Sequence, residues 1–487
     1  MSYNMETTPY IPNDLKFSSN GLMSTDRSSL RRGDLESALN SASQPTIEIG
    51  PTFNPDPLVI VPVHNDNRIP TLRHTFDSLA EQERLNSGFQ VVVSDNGLTD
   101  EGVQEIHGIA EGLGLGLTIV NARPEKESQK NAAHARNQAF QTIASLAEQD
   151  SRFRTNGVLL IDSDTALLPH ALTELQQTYY RNPEVSAVQA VSVSAHDIGK
   201  EARVQYMSRH DIATGREQRL PKVYRDGEID IASIVAFGSD IATKTCGVFV
   251  DRVAMAKMGQ KPFVQMPHGS AEDMVLAIGL GRHGDIYSNS RAQVLDLDRP
   301  NPSAIQAQRT NWGRDHAILF NDFVELKHIK PGIKIFEPIN GQWVEWIIPG
   351  SEEWKIPGSE EEENVYGVIV NPEQLKSTSQ LVIDAEKNGT LDTLTSRELR
   401  DVQIGISHLQ TVISRIDSVR DTVQKTVRPE LPTPVPPNPS SIRFSNESLT
   451  GLLVGNILGM CDEQELSEDA LPKRMFYGVR QSASWSV

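Results

Sequence analysis

An α/β fold is predicted, with a mainly parallel sheet covered by helices on both faces and a helical C-terminal extension. The first observation is a set of short, continuous apolar runs beginning at Leu58, which are typical of strands buried on both faces. The second is that segments with helical periodicity separate these runs. Strands that alternate with helices form parallel sheets, because each right-handed crossover returns the chain to the same edge.

The elements of this sheet follow in chain order. Residues 1–56 are rich in Ser, Asn, Asp and Pro, so we expect a disordered arm that holds one short helix near residues 33–42. The strands are predicted at LVIVPV (58–63), FQVVVSD (89–95), LTIVNA (117–122), GVLLID (157–162) and SAVQAVSV (186–193). The helices between them are predicted at 69–82, 102–112 and 129–146. In such a sheet, ligands bind at the carboxyl ends of the strands.

Beyond the α/β domain, which we place at residues 57–300, the pattern changes. Residues 301–395 are expected to hold a β-hairpin around Asn340-Gly341 and then an acidic loop. Apolar residues from Leu399 onwards recur at alternating spacings of three and four, which predicts a coiled-coil-like helix over 396–427. Its apolar seam must pair within the chain or between subunits. Residues 428–487 are interpreted as a Pro-rich linker and a tail.

Composition and charge exclude several classes of protein. The chain has 64 acidic and 46 basic residues and a net charge of -18, a field that repels nucleic acid and anionic lipid surfaces. The two cysteines, Cys246 and Cys461, form no metal-type or redox-type pair, as expected in a reducing compartment. No uncharged apolar run reaches about 18 residues, the length of a membrane-spanning helix, and no secretory segment is evident. We expect a cytoplasmic protein without a transmembrane segment.

The most informative tripeptide is Asp162-Ser163-Asp164, directly after the predicted strand GVLLI. Alternate residues of a strand point the same way, so both carboxylates are expected on one side of the sheet edge. Carboxylate pairs of this kind can hold a divalent cation that also binds substrate phosphates. The alternative is a turn in which Asp caps the next helix.

Several further segments accompany this tripeptide in a definite order. They are VIVPVHND, SDNGLTD, ARNQAF, LLIDSD, TCGVFVDRVAMAKMG and SAEDMVLAIGLGRHG. Together they resemble glycosyltransferase family 2, whose nucleotide-sugar-binding fold is called GT-A, over about residues 57–300. The resemblance implies a metal-dependent transferase that moves one sugar from a nucleotide-sugar donor to an acceptor hydroxyl. Processive members carry a compact Q-x-x-R-W followed by membrane helices, whereas here Gln306, Arg309 and Trp312 are spaced differently.

The resemblance also implies roles for particular residues. Asp273 falls at the position of the catalytic base and Glu272 is expected to assist it. Mn²⁺ or Mg²⁺ would be held by Asp162 and Asp164, with His316 as the best-placed third ligand and His283 behind it. Donor binding is expected from Pro62, His64, Asp95, Arg136, Asn137, Asp162 and Ser163, with Lys130 as a lesser candidate.

Alternatives remain open for some of these residues. Asp95 could accept a hydrogen bond from an N–H of the nucleotide base or from a ribose hydroxyl. Alternatively, it could only stabilise the turn before Gly97. Arg136 offers a fork that suits phosphate, but could be an exposed helix residue. Adjacent carboxylates such as Glu272 and Asp273 could serve only as partners of a helix dipole.

Alternatives also remain for the function as a whole. We expect inversion at the sugar carbon, but a retaining transferase that makes a glycosylated small organic acid has a similar pattern. A sugar-nucleotide-binding scaffold without catalysis is the alternative outside enzymes. The expected partners are the donor, a hydroxyl acceptor and, through 396–427, a second copy of the chain.

Overall fold

A computed structural model describes residues 27–40, 57–82, 89–124, 131–194, 217–220, 224–225, 228–230, 245–259, 261–296, 302–340, 342–354, 363–391, 393–428, 446–462 and 473–478. These residues belong to two compact units. The first comprises the described parts of Met1–Lys222, Ala242–Gln265 and Glu272–Asp298. The second comprises those of Val223–Ile241, Met266–Ala271 and Arg299–Val487. No described helix is long and apolar enough to cross a lipid bilayer.

The first unit contains a large mixed sheet with its helices. Its strands are β1 Leu58–Val63, β2 Gln90–Asp95, β3 Gly116–Asn121, β4 Gly157–Leu160, β5 Thr165–Leu167, β6 Val185–Ser194, β7 Glu217–Arg219, β10 Val248–Asp251 and β11 Asp285–Asp296. Its helices are α1 Arg27–Asn40, α2 Ile69–Ala80, α3 Asp100–Leu113, α4 Ala132–Gln149, α5 Ala171–Arg181, α6 Arg252–Lys257 and α7 Glu272–His283. The strands predicted from apolar runs are all present.

The order of strands within the described sheet is β3-β2-β1-β4-β10-β6-β11-β5, and β7 pairs with β11. Strands β3, β2, β1 and β4 are parallel neighbours. Strand β10 is antiparallel to both β4 and β6, so β6 again runs in the direction of β4. The prediction of an α/β fold with a mainly parallel sheet is confirmed, with β10 inserted in the opposite direction.

Burial of the central strand explains why its sequence is apolar throughout. All six residues of β1 are buried. Val59, Val61 and Val63 join one core with residues of α2, α3 and α5. The intervening residues point to the other face, where α4 packs on β1 and β2. Helix α4 is attached there by Ser94, whose hydroxyl donates to the carbonyl of Ala135 at 2.8 Å.

The first described helix lies in the segment predicted to be a disordered arm with one short helix, and it corrects that prediction for residues 27–40. Helix α1 spans Arg27–Asn40 and packs against α7. Leu35, Ala38 and Leu39 are at most 1 % exposed. The remainder of the arm lies outside the described residues. The short helix expected near residues 33–42 is therefore present, but it begins earlier, at Arg27, and is packed rather than isolated.

The second unit contains a smaller sheet covered by long helices. Its strands are β8 Tyr224–Arg225, β9 Glu228–Ile229, β12 Gly332–Ile339, β13 Gln342–Ile347, β14 Tyr366–Val370, β15 Thr426–Val427 and β16 Arg474–Gly478. Its helices are α8 Pro302–Glu325, α9 Pro372–Lys387, α10 Ser396–Val419 and α11 Asn446–Cys461. The described sheet has the order β15-β13-β12-β14-β16, and β8 pairs separately with β9. The predicted hairpin is confirmed as β12 and β13, with Asn340 in the left-handed region at φ 50°.

Helix α10 corrects the prediction of a coiled-coil seam for pairing with a second copy. Its apolar stripe, including Val402, Leu409 and Ile416, is buried in the core of the second unit. The same core contains residues of α11, β12 and β16. The seam is therefore covered within the chain, as the alternative interpretation had it.

The segment interpreted as a linker and tail contributes two elements to this core. Every residue of α11 from Ser448 to Met460 is buried. Strand β16 pairs with β14 in parallel. The interpretation of residues 428–487 as a linker and a tail is therefore wrong for residues 446–462 and 473–478, which the structure describes. Residues 355–362 of the predicted acidic loop lie outside the described residues.

Candidate active site

The candidate site begins where adjacent parallel strands end. His64 follows β1 and is exposed, Asp95 ends β2, and Asp162 follows β4 closely. Because β2, β1 and β4 are parallel neighbours, these positions lie at one edge of the sheet. Pro62 is buried within β1, beyond the last residue that pairs with β4. A proline is tolerated there because its missing N–H leaves no bond to β4 unmade.

The tripeptide after β4 forms a tight turn that leads into β5. The amide of Thr165 donates to the carbonyl of Asp162 at 3.2 Å, and Ser163 is buried. The side chains of Asp162 and Asp164 are 34 % and 23 % exposed. They bind different arginines: Asp162 pairs with Arg136, and Asp164 accepts from Arg68 at 3.0 Å. The turn thus presents two partly accessible carboxylates, each beside a fixed positive charge.

Arg136 joins this turn to the beginning of α7. Its guanidinium is buried and donates through Nη2 to Asp162 and through Nη1 to Glu272 Oε1, the latter at 2.9 Å. It also lies 5.8 Å from the centroid of the Phe263 ring. Burial alone would lower the pKa of Arg136, but the two carboxylates outweigh it and raise that pKa. The guanidinium of Arg136, which was predicted to bind phosphate, therefore binds two protein carboxylates.

Asn137, the next residue on α4, is also engaged by other parts of the protein. Its side-chain amide donates to the carbonyl of Phe263 at 2.7 Å and accepts from the amide of the same residue at 3.1 Å. The side chain is 3 % exposed. Asn137 therefore holds the backbone at Phe263, and its part in donor binding stays a prediction. Lys130 lies outside the described residues.

The two carboxylates predicted for catalysis lie in the first turn of α7. Glu272 is held by Arg136, and Asp273 Oδ1 accepts from the amide of Met274 at 2.8 Å. Burial raises the pKa of Glu272 to about 7 against the opposing effect of Arg136, and the nearby Asp273 and Asp162 add to the rise. The structure thus brings Asp162 and Glu272 together on one guanidinium, with Asp273 next in the chain.

Asp95 is held by its own loop and by a residue that the sequence did not indicate. Its Oδ1 accepts from the amides of Gly97 and Leu98 at 2.9 and 2.7 Å. Its Oδ2 accepts from Arg123 Nε and Nη2 at 3.1 and 2.9 Å. With Asp95 only 1 % exposed, the geometry favours the turn-stabilising alternative. Arg123 itself is 41 % exposed and presents positive charge beside β2.

The two histidines predicted as metal ligands, His316 and His283, lie on different helices. His316 lies on α8 in the second unit, where burial and then Arg309 lower its pKa to about 4. His283 lies at the last turn of α7, about 16 Å along the helix from Glu272. No group of three or more His, Cys, Asp or Glu side chains suited to a metal ion occurs among the residues that the structure describes. The expected ligand set of Asp162, Asp164 and His316 draws on both units and stays a prediction.

Asp315 on α8 is a buried carboxylate that the sequence analysis missed. It accepts from the amides of His268 and Ser270 at 3.1 and 2.8 Å and from the Ser270 hydroxyl at 2.7 Å. These bonds fix the segment that ends at Ala271, a non-glycine residue at φ 61°. Burial raises the pKa of Asp315 despite these donors. Arg68, Arg123 and Asp315 had no sequence signal beyond their proximity to the motifs.

Comparisons with known proteins agree with the motifs. Residues 58–239 match the family model for glycosyl transferase family 2. No curated protein sequence matches the chain. Among solved structures, S. aureus TarS is 17 % identical over 55 % of this chain, with a TM-score of 0.34, and the match spans 43 % of the TarS chain.

Two further solved structures are similar. TarS 1–349 is 15 % identical, with 75 % of this chain and 90 % of that chain covered and a TM-score of 0.36. The mannosyltransferase PcManGT from Pyrobaculum calidifontis is 16 % identical, with 61 % and 74 % covered and a TM-score of 0.34. The resemblance predicted from the motifs is confirmed to this extent: residues 58–239 of this chain match the model for glycosyl transferase family 2.

Proposed function

We propose that this protein transfers one sugar from a nucleotide-sugar donor to an acceptor hydroxyl, with inversion at the sugar carbon. The observation that carries the proposal is the bridge made by Arg136. It connects the carboxylate that follows β4 with the turn of α7 that carries Asp273. The bridge thereby connects the turn proposed to bind the donor diphosphate with the residue proposed to act on the acceptor. The family 2 domain over residues 58–239 supports the same function.

Asp162 and Asp164 are the residues that would hold a divalent cation. Their carboxylates supply the hard oxygen ligands that Mn²⁺ and Mg²⁺ prefer, and both side chains are partly exposed. A cation bound there would neutralise negative charge on the leaving diphosphate. Arg68, beside Asp164, adds a further positive charge for that group.

Asp273 is the proposed base. It would accept the proton of the acceptor hydroxyl as that oxygen attacks the sugar carbon. Glu272 is occupied by Arg136, so its proposed contribution is to hold the first turn of α7 in place. A buried arginine bound to two carboxylates is a rigid connection, which suits a site that must keep donor and base in register.

The test is incubation of the purified chain with Mn²⁺ and a panel of sugar nucleotides, followed by measurement of nucleotide release. The panel includes UDP-GlcNAc and GDP-Man, which are bound in structures of TarS 1–349 and PcManGT respectively. Asp164→Ala serves as the control and should reduce release by about 10²-fold or more. Binding of a sugar nucleotide without release, with every acceptor tried, would favour the scaffold alternative. The anomeric configuration of a product, determined by NMR, distinguishes inversion from retention.

A further inference from the structure

Arg68 makes an ion pair with a carboxylate that we propose as a metal ligand. Its Nη1 lies 3.0 Å from Asp164 Oδ2, and the two side chains are 18 % and 23 % exposed. The residue ends the short 3₁₀ turn Asp66–Arg68 that follows β1. Asp66 fixes this turn by accepting from the amide and the hydroxyl of Thr99 at 3.0 and 2.6 Å. Arg68 is thus held at the edge of the sheet from which donor-binding groups are expected.

A guanidinium and a divalent cation compete for the same carboxylate. Both are positive, and a cation bound at Asp164 would share its oxygens with Arg68 or displace it. Displacement requires another partner for the guanidinium. A diphosphate is such a partner, because an arginine fork matches phosphate oxygens in both charge and geometry.

We propose that, without a donor, the guanidinium of Arg68 occupies the position at Asp164 that a divalent cation would take. When a donor binds, its diphosphate binds the guanidinium and releases Asp164 for the cation. This inference rests on the proposed function, since it concerns the same donor site. Its consequence is that binding of the cation and binding of the diphosphate are coupled through Arg68. Because such coupling is reciprocal, the diphosphate strengthens cation binding by the factor by which the cation strengthens diphosphate binding.

The first experiment measures Mn²⁺ affinity of the full chain by calorimetry and by Mn²⁺ electron paramagnetic resonance, without nucleotide. Arg68→Ala should tighten Mn²⁺ binding by about fivefold or more, the upper range for loss of a partly exposed ion pair. Arg68→Gln should act in the same direction. Arg73→Ala is the matched control, because Arg73 is exposed on α2 and its loss changes the net charge equally. That variant should bind Mn²⁺ like the original chain.

The second experiment repeats the titration with UDP and, separately, with GDP. One of these nucleotides should tighten Mn²⁺ binding to the original chain. In Arg68→Ala this gain should shrink by about the factor gained without nucleotide, because the competition is already gone. If Arg68→Ala and Arg68→Gln bind Mn²⁺ no more tightly than Arg73→Ala, the inference is overturned. It is also overturned if neither UDP nor GDP changes Mn²⁺ binding.

These readings are separate from the test of the proposed function. Tighter Mn²⁺ binding in Arg68→Ala without sugar transfer by any form of the chain would support competition at Asp164 while removing the proposed transferase activity. Transfer by the original chain, together with unchanged Mn²⁺ affinity in Arg68→Ala, would support the activity and overturn the competition.

Discussion

Arginine side chains organise the acidic residues of the candidate site. Arg123 pairs with Asp95 and is 41 % exposed, whereas Arg136 is almost fully buried between its two carboxylates. An exposed pair contributes little to stability, because water and salt screen it. Loss of one member of a buried group leaves an uncompensated charge, which is strongly destabilising. The buried arginine is therefore the one on which both the stability and the geometry of the site depend.

Arg136→Lys should destabilise the chain and reduce sugar transfer, although it keeps the charge. Lysine presents one compact ammonium and cannot bind two carboxylates through a planar fork. We expect a loss of about 2–4 kcal/mol in the free energy of unfolding, measured by urea titration. The matched control is Arg152→Lys, since Arg152 is 68 % exposed and pairs with Asp150 on the surface. Equal stability of the two variants would contradict the importance of the bridge.

Asp273→Asn should keep donor binding and lose transfer. The amide has the shape of the carboxylate but does not accept a proton, so the acceptor hydroxyl would not be activated. We expect a decrease in kcat of about 10²-fold or more, with the Kd for the donor little changed in calorimetry. If Kd and kcat deteriorate together, Asp273 has a structural or donor-binding role.

Glu272 should make stability depend on pH in a defined direction. Its pKa rises on folding to about 7 from the usual 4.5, so the folded chain binds this proton more tightly than the unfolded chain. The associated stabilisation is complete below about pH 4.5 and is lost as the pH rises through about 7. The free energy of unfolding should therefore fall over this range relative to that of Glu272→Gln. Parallel pH profiles in urea titrations would contradict the raised pKa.

The sequence predicted the carboxylates of the site better than their partners. Asp162, Asp164 and Asp273 are recognisable because each follows a strand or begins a helix within an ordered set of motifs. The partner of a buried guanidinium depends on contacts between distant segments, and no local pattern records them. Arg136 and Glu272 are separated by 136 positions in the chain. The sequence alone is therefore equally consistent with an Arg136 that binds phosphate and an Arg136 that binds protein carboxylates.

At the scale of elements, helices α8 and α11 pack unusually closely. A β-carbon built at Gly455 would lie 2.0 Å from the carbonyl oxygen of Thr310, and one at Gly313 would lie 2.3 Å from that of Leu452. The backbones of the two helices therefore approach along glycines from both sides. This contact places α11 at the centre of the second unit, where all its residues from Ser448 to Met460 are buried.

Gly455→Ala should be strongly destabilising although alanine has the higher helix propensity. The added methyl group collides with backbone, which cannot rotate away as a side chain could. We expect a loss of about 2 kcal/mol or more, from overpacking in a well-packed core. Gly112→Ala is the matched control, because Gly112 is exposed on α3 with nothing near its added carbon, and it should gain up to about 1 kcal/mol. Thermal melts showing the same shift in both variants would contradict the close approach.

The spacing of apolar residues predicted helix α10 correctly, but the expectation that a second copy covers its apolar face was wrong. The alternating spacing of three and four reports that one face of the helix is apolar, which is correct. It carries no information on whether a second copy or the same chain buries that face. Helix α11 had no stripe to detect, because it is apolar on all sides and too short for a membrane span. Buried strands were easier, since a run such as Leu58–Val63 is apolar throughout only when both faces are covered.

At the scale of the whole molecule, the second unit depends on segments that are far apart in sequence. Its core joins Ile333 and Ile369 from the sheet with Leu409, Leu453 and Tyr477 from later elements. A core of this kind forms cooperatively, because each segment covers apolar surface of the others. None of the helices and strands that the structure describes beyond residue 395 is therefore a dispensable appendage.

Truncation after Thr395 should abolish folding of the second unit. It removes α10, β15, α11 and β16 together and exposes the apolar faces that they cover. We expect an aggregating product, measured as loss of soluble protein and of a cooperative thermal transition. Truncation after Gly478 keeps every described strand and helix and should leave both properties intact. If the chain that ends at Thr395 were soluble and unfolded cooperatively, α8 and α9 would form a stable core without the later helices.

The central position of α11 has a consequence for biosynthesis. The ribosome delivers α8 and the hairpin of β12 and β13 well before residues 446–478, so their apolar faces emerge without the helix and strand that cover them. At usual elongation rates, on the order of ten seconds separate the two events. During that interval the nascent chain exposes the apolar surface that α11 and β16 later cover, and such surface is prone to association with chaperones and with other nascent chains. Slower translation between β13 and α11 would lengthen that exposure. The yield of folded protein would then depend on codon usage in this part of the chain, which contributes no residue to the candidate active site.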